Sequence, residues 1–206
     1  MITFDLGALT LPERGRLMTR IVAPRPIAFV SSLAADGTGN LSPFSFFTAG
    51  GSNPPAVVFC ATNDRTGKVK DTVRNIVATR EFVISTVTRA MAERANRASF
   101  EYPAEVDEFD LAPFTRLPSV KVAPPGVAES PLRIECRLHE IVRVGEGPQA
   151  SNFVIGEAVY VTAADDVCTD GLPDNHKLDQ LSRLGADLYL PMVPEAMFSL
   201  ARPKTP

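Results

Sequence analysis

Three cations, Arg65, Lys68 and Lys70, stand just ahead of a run with helical period, in which Val69, Val73, Ile76 and Val77 lie at i, i+4, i+7 and i+8. Asp71 and Thr72 fall in what would be the first turn. Backbone N–H groups at a helix start lack intrahelical partners and carry partial positive charge, so a phosphate is held readily there. Lysine, arginine and threonine side chains add charge-assisted bonds to such an anion. The same residues also fit a solvated basic loop with Asp71 or Thr72 as an ordinary cap.

A second stretch, Asn40 to Phe47, reads NLSPFSFF. Pro43 within a strand-like run, flanked by Ser42 and Ser45, leaves backbone N–H and C=O groups without a sheet partner. Those groups can read the polar edge of a flat heteroaromatic ring while apolar neighbours cover its face. The segment equally fits an edge strand whose phenylalanines are core and whose serines meet water. No Ser–His–Asp set or paired carboxylates stand out. His139 falls on the polar face of an alternating strand, and His176 lies in a C-terminal loop. Cys60, Cys136 and Cys168 are odd in number and lack a CxxC spacing, which argues against a disulfide framework or zinc site.

The elements that must position these residues are short. PIAFVSSLAADGTGNLSPFSFF patterns as a hairpin, with Ile27, Phe29 and Ser31 on one face, Ala28, Val30 and Ser32 on the other, and DGTGN turning the chain. PAVVFCAT and EFVISTVT flank the helix that follows the basic stretch. RAMAERANRAS patterns as a second short helix. From Tyr102 to Ser130 the chain is proline-punctuated and loop-like, and so long a stretch within one domain is usually functional or covers something. LRIECRLHEIVRV alternates cleanly until its phase shifts at Ile141, the mark of a bulge. NFVIGEAVYVTAA is apolar on both faces, as in a central strand or one covered by another subunit.

At 206 residues, with 45% hydrophobic content and a formal net charge of -3, the chain is expected to be one domain over 1–206. No broad basic surface for nucleic acid is present, and any anion site must be local. No apolar run approaches a membrane span and no signal peptide is visible, so a cytoplasmic protein is expected. Several hairpin-spaced strands with inserted helices point to a closed or split β-barrel. A Rossmann fold would need repeated strand–helix alternation and a glycine-rich first turn.

Taken together, PRPIAFVSSLAADGTGNLSPFSFF, NPPAVVFCA and NDRTGKVKDTVRNI resemble the flavin reductase-like proteins with an FMN-binding split barrel, in the flavoredoxin-related branch. The likeness runs on through EFVISTV, EYPAEVDEFDLA, ESPLRIECRL, FVIGEAVYV and RLGADLY, covering about residues 20–190. It implies a mainly β fold, a six-stranded antiparallel Greek-key split barrel with short flanking helices, assembled as a homodimer with FMN near the subunit interface. Carried over by position, Asn40, Leu41, Ser42, Pro43 and Ser45 match the segment along the isoalloxazine edge. Arg65, Lys68, Lys70, Asp71 and Thr72 match the segment around the phosphate, and Ser31 and Ser32 match a strand end beside the ring. His176, Arg183 and Tyr189 match a C-terminal region near the flavin, where they would touch the nicotinamide donor or a partner flavin.

The implied activity is hydride transfer from NADH or NADPH to flavin, with no dedicated side-chain catalyst, since the cofactors carry the chemistry. The reduced flavin would then serve a partner monooxygenase or related acceptor. The alternative implied by the same likeness is a flavoredoxin-like electron carrier that NAD(P)H does not reduce directly.

Overall fold

A computed structural model describes residues 1–203. Its centre is one antiparallel sheet of seven strands: β1 (Ala28–Leu33), β2 (Gly39–Phe44), β3 (Phe47–Ser52), β4 (Pro55–Thr62), β5 (Glu81–Thr86), β6 (Leu132–Val144) and β7 (Ser151–Ala163). The spatial order is β2-β1-β5-β6-β7-β4-β3. β2 and β3 therefore occupy opposite edges, yet only Ser45 and Phe46 separate them in the chain. So short a link forces the sheet to curl until its edges meet. Phe44 at the end of β2 packs 5.1 Å from Phe59 of β4, ring centre to ring centre, and the Cys60 N–H donates to the Phe46 carbonyl, carrying the β3–β4 ladder back into the link. The result is a split barrel.

Alternation along β1 sorts its side chains onto two buried faces. Ala28 and Val30 point into the barrel with Phe44, Phe59, Phe82, Ile76 and Val154. Ile27 and Phe29 point outward into a second cluster with Leu41, Met91, Phe109 and Phe114. The second cluster is capped by the short helix expected in RAMAERANRAS and by the chain expected to be loop. Helix α3 (Ala92–Arg97) and the one-turn helix α4 (Glu108–Leu111) lie over it. The long 102–130 stretch thus covers apolar surface that the barrel leaves open. It also covers a carboxylate: Glu135 accepts the Val120 and Lys121 N–H groups at 2.8 and 2.6 Å. Glu135 was expected on the polar face of β6 and is instead buried.

The phase shift in β6 is real. Leu138 pairs with Gly156 and Glu140 with Ile155, leaving His139 as the extra residue of a bulge. That extra residue returns Ile141 to the barrel interior after Leu138. β7 is central, between β6 and β4. Its inward residue Val154 is fully buried, while Phe153 faces out opposite Val142, and both are more than a third exposed.

Helix α1 (Leu11–Ile21) has no counterpart in the sequence reading. Its start carries a capping box: the Thr10 N–H donates to Glu13 at 2.8 Å, and Pro12 sits within the first turn. That Thr-x-x-Glu pattern with proline was the available signal. Helix α2 (Asp71–Thr79) lies where the apolar stripe placed it, burying Val73 and Ile76 into the barrel. It ends on Arg80 in the left-handed conformation.

Candidate functional site

The basic stretch and the interrupted strand come together. Lys68, Lys70, Asp71 and Thr72 line one cleft with Asn40 and Ser42 of β2. The contact between the two segments is direct, since Asn40 Nδ2 donates to Thr72 Oγ1 at 2.8 Å. An adjoining recess shares Ser99 with the cleft and is lined by Pro43, Ser45, Arg183 and Tyr189. A larger open recess of about 670 Å³ continues past Ser45 and Arg183 to helix α1. The three form one track along the edge of β2.

The cleft end gathers charge of both signs, Lys68, Lys70 and Arg74 with Asp64, Asp71, Glu101 and Glu108. Lys70 is the N-cap of α2 and offers no side-chain cap to the helix. Among the described residues no side chain accepts from the first N–H groups of α2; the Val73 N–H donates to the Lys70 carbonyl, which leaves those of Asp71 and Thr72 without a partner there. Lys68 forms no ion pair among the described residues, whereas Lys70 Nζ lies 3.0 Å from Glu101 Oε1 across the cleft. Asp71 is held by Arg74 one turn on. The loop that carries the lysines is fixed by Asp64, whose carboxylate accepts the Thr66 and Lys68 N–H groups at 2.8 and 2.9 Å. Those bonds hold the Asp64 carboxyl below its usual range, the Thr66 hydroxyl contributing most. Arg65 is exposed between Asp64 and Lys68.

The middle of the track rests on an edge. β2 has only β1 as a sheet partner, with Leu41 opposite Ser31 and Pro43 opposite Phe29. The Leu41 N–H points away from β1 and donates to Glu108 Oε2 at 2.9 Å. Pro43 shares that outward phase, so its missing N–H interrupts no ladder bond. The Leu41 side chain is core.

Ser31 and Ser32 are both buried. The Ser31 hydroxyl donates to the Pro125 carbonyl, and Ser32 Oγ accepts from Asn75 of α2 at 3.3 Å. They lie on β1, behind β2, and do not line the track. His176 is largely exposed beside Asp174, in a separate hollow with Met197 and Phe198. Arg183 and Tyr189 do reach the recess: the guanidinium donates to the Tyr189 hydroxyl, lies 4.5 Å over its ring and donates to the Ala186 carbonyl at 2.7 Å.

Two residues at the track were not singled out from the sequence. Arg25 is only 4% exposed and has no carboxylate partner among the described residues. Its guanidinium donates to the Thr19, Val22 and Leu184 carbonyls at 2.5, 2.5 and 2.9 Å and to Ser45 Oγ at 3.4 Å. It thereby ties the end of α1 to the link that follows β2. Burial, and then the neighbouring Arg183 charge, lower its pKa. The signal was an arginine between two prolines at the mouth of an apolar strand. The other is Glu108, whose carboxyl burial pushes above its usual range.

A family model described as the flavin reductase like domain matches residues 18–181. The chain belongs to the flavin reductase-like family. A curated relative of this flavin reductase-like chain, from Halalkalibacterium halodurans, is 36% identical over 184 residues, 88% of each protein. Among solved structures, nitrilotriacetate monooxygenase component B from Bacillus cereus matches with a TM-score of 0.91 at 29% identity, covering 97% of this chain and 98% of that one. The 2-nitrobenzoate 2-nitroreductase of Pseudomonas fluorescens matches with a TM-score of 0.87 at 26% identity, covering 98% and 97%. The family match makes flavin the ligand class. Among the described residues no group of His, Cys, Asp or Glu is arranged to hold a metal, and no helix is long and apolar enough to cross a membrane.

Proposed function

We propose that the protein binds FMN along this track and passes a hydride to it from NADH or NADPH. The observation that carries the reading is the cleft where the start of α2, Lys68, Lys70 and Thr72 face Asn40 and Ser42. A phosphate there is met by lysine charge, unpaired helix N–H groups and a hydroxyl. From that anchor the ring runs along the free edge of β2 toward Pro43 and Ser45. The bound flavin supplies the hydride-accepting centre, and the chain supplies orientation and a dry face.

Arg183 and Tyr189 sit where a nicotinamide donor would approach. The guanidinium, stacked on Tyr189 and half-buried, is placed to pair with a pyrophosphate. Arg25 keeps Ser45 and α1 in register around the same recess. A homodimer fits the exposed Val142 and Phe153 on the outer face of β6 and β7. Reduced flavin leaving such a site would serve a partner monooxygenase, and the likeness to nitrilotriacetate monooxygenase component B supports that role.

The experiment is anaerobic mixing of FMN-loaded protein with NADH or NADPH, following loss of oxidised-flavin absorbance. Bleaching on the seconds scale is expected from at least one nucleotide. If both leave the flavin oxidised while dithionite reduces it, the reductase reading fails and an electron-carrier role replaces it.

A further inference from the structure

Between the phosphate end of the track and its ring end stands a carboxylate. Glu108 comes from α4, in the segment that closes the outer core, yet it lines the same cleft as Asn40, Ser42 and Thr72. Its residue is 8% exposed. One carboxylate oxygen, Oε2, takes the Leu41 N–H at 2.9 Å. No arginine or lysine is within ion-pairing distance of it among the described residues; Arg116, the nearest cation in sequence, is engaged by Asp107 and Asp110. Neither Glu108 oxygen is both sealed from the surface and unpaired. The second oxygen, Oε1, therefore opens toward the cleft.

A nine-tenths-buried carboxylate met only by the Leu41 N–H and by its own backbone N–H keeps acceptor capacity that a ligand donor would satisfy. Phosphate cannot do so, because like charges repel. An amine is not called for beside two lysines. The group that fits is a neutral hydroxyl. Along the track, the lysines and Thr72 mark one end, Pro43 and Ser45 the other, and Glu108 faces the stretch between them, beside Asn40 and Ser42. We infer that Glu108 is a specificity-determining residue that accepts hydrogen bonds from the polyol chain of the flavin, while its other oxygen fixes the β2 edge. This rests on the flavin reading above. It makes the middle of the site a hydroxyl reader, so that the protein selects flavins bearing a polyol over those carrying only the ring.

The test compares riboflavin with lumiflavin, which has the same ring and a methyl group in place of the polyol, by quenching of flavin fluorescence. Glu108→Gln keeps an acceptor for the Leu41 N–H and removes the charge. It should weaken riboflavin by about three- to ten-fold and leave lumiflavin unchanged. Glu108→Ala should weaken riboflavin by about ten-fold or more, the usual cost of losing a bond to a charged group. If the alanine variant melts early, the glutamine variant decides. Equal weakening of both flavins would make Glu108 a support for β2 alone, and no change in either would remove it from the site; both overturn the inference. Failure of the unmodified protein to bind riboflavin or FMN would instead overturn the flavin reading itself.

Discussion

Lys70→Ala tests the phosphate end of the site with a magnitude that can be worked out. Lys70 Nζ is 3.0 Å from Glu101 Oε1, and its side chain is 29% exposed. A charge-assisted bond from lysine to phosphate contributes about 1.5–3 kcal/mol. In the free protein the same ammonium is already paired with Glu101, an exposed pair worth about 0.2–1 kcal/mol that the ligand must displace. The net loss on removing Lys70 is then about 0.5–3 kcal/mol, or about 2- to 100-fold in FMN affinity at 1.4 kcal/mol per factor of ten. Glu101→Gln should move the other way and tighten FMN by a few-fold at low salt, the gain fading as salt screens the carboxylate. Riboflavin, which lacks the phosphate, should be indifferent to both changes. Fluorescence titration of each variant with FMN and with riboflavin reads all four numbers. If Lys70→Ala weakens the two flavins equally, the phosphate does not sit at the start of α2 and the assigned orientation is reversed or wrong.

Other outcomes follow from packing and from the recess. A Cβ on Gly156 would lie 2.4 Å from Phe82 Cζ in the barrel interior, so Gly156→Ala should lower stability by about 1–3 kcal/mol in urea unfolding, and an unchanged midpoint would contradict the packing described. Phe153→Lys, on the outer face opposite Val142, should convert the proposed dimer to monomer in light scattering; a protein already monomeric at micromolar concentration with FMN bound would remove the dimer. Arg183→Ala should raise the KM for the nicotinamide donor with little change in kcat, whereas His176→Ala, in its separate hollow, should leave the bleaching rate nearly intact. A His176 variant that abolishes reduction would mean that an acid–base side chain is required after all.

Much of the site was legible because it is local. The stripe of Val73 and Ile76 specifies α2, and the cations precede it within a few residues, so the pairing of charge with a helix start is a property of one short segment. The hairpin faces of β1 were legible for the same reason, since period-two alternation reports burial directly. α1 was missed, although its capping box stood in the sequence, and the helix buries no residue fully.

Local chemistry stops at the ends of each element. The sequence alone determined that one segment sets cations ahead of a helix and that another is a proline-interrupted strand dotted with serines, because residue type and period are written within a dozen positions. Only the tertiary structure decided that Asn40 touches Thr72 and that Arg183 shares a recess with Ser45. It also buried Glu135 under the Val120 and Lys121 N–H groups and set Glu108 against the Leu41 N–H, 67 residues away in the chain. The physical reason is the curl of the sheet. Ser45 and Phe46 bind its two edges together, and the barrel so formed leaves β2 with one free edge and an apolar outer face. The 102–130 chain must cover that face, and in doing so it carries a carboxylate to the cleft. Such a long-range contact satisfies a buried N–H that no local pattern could announce.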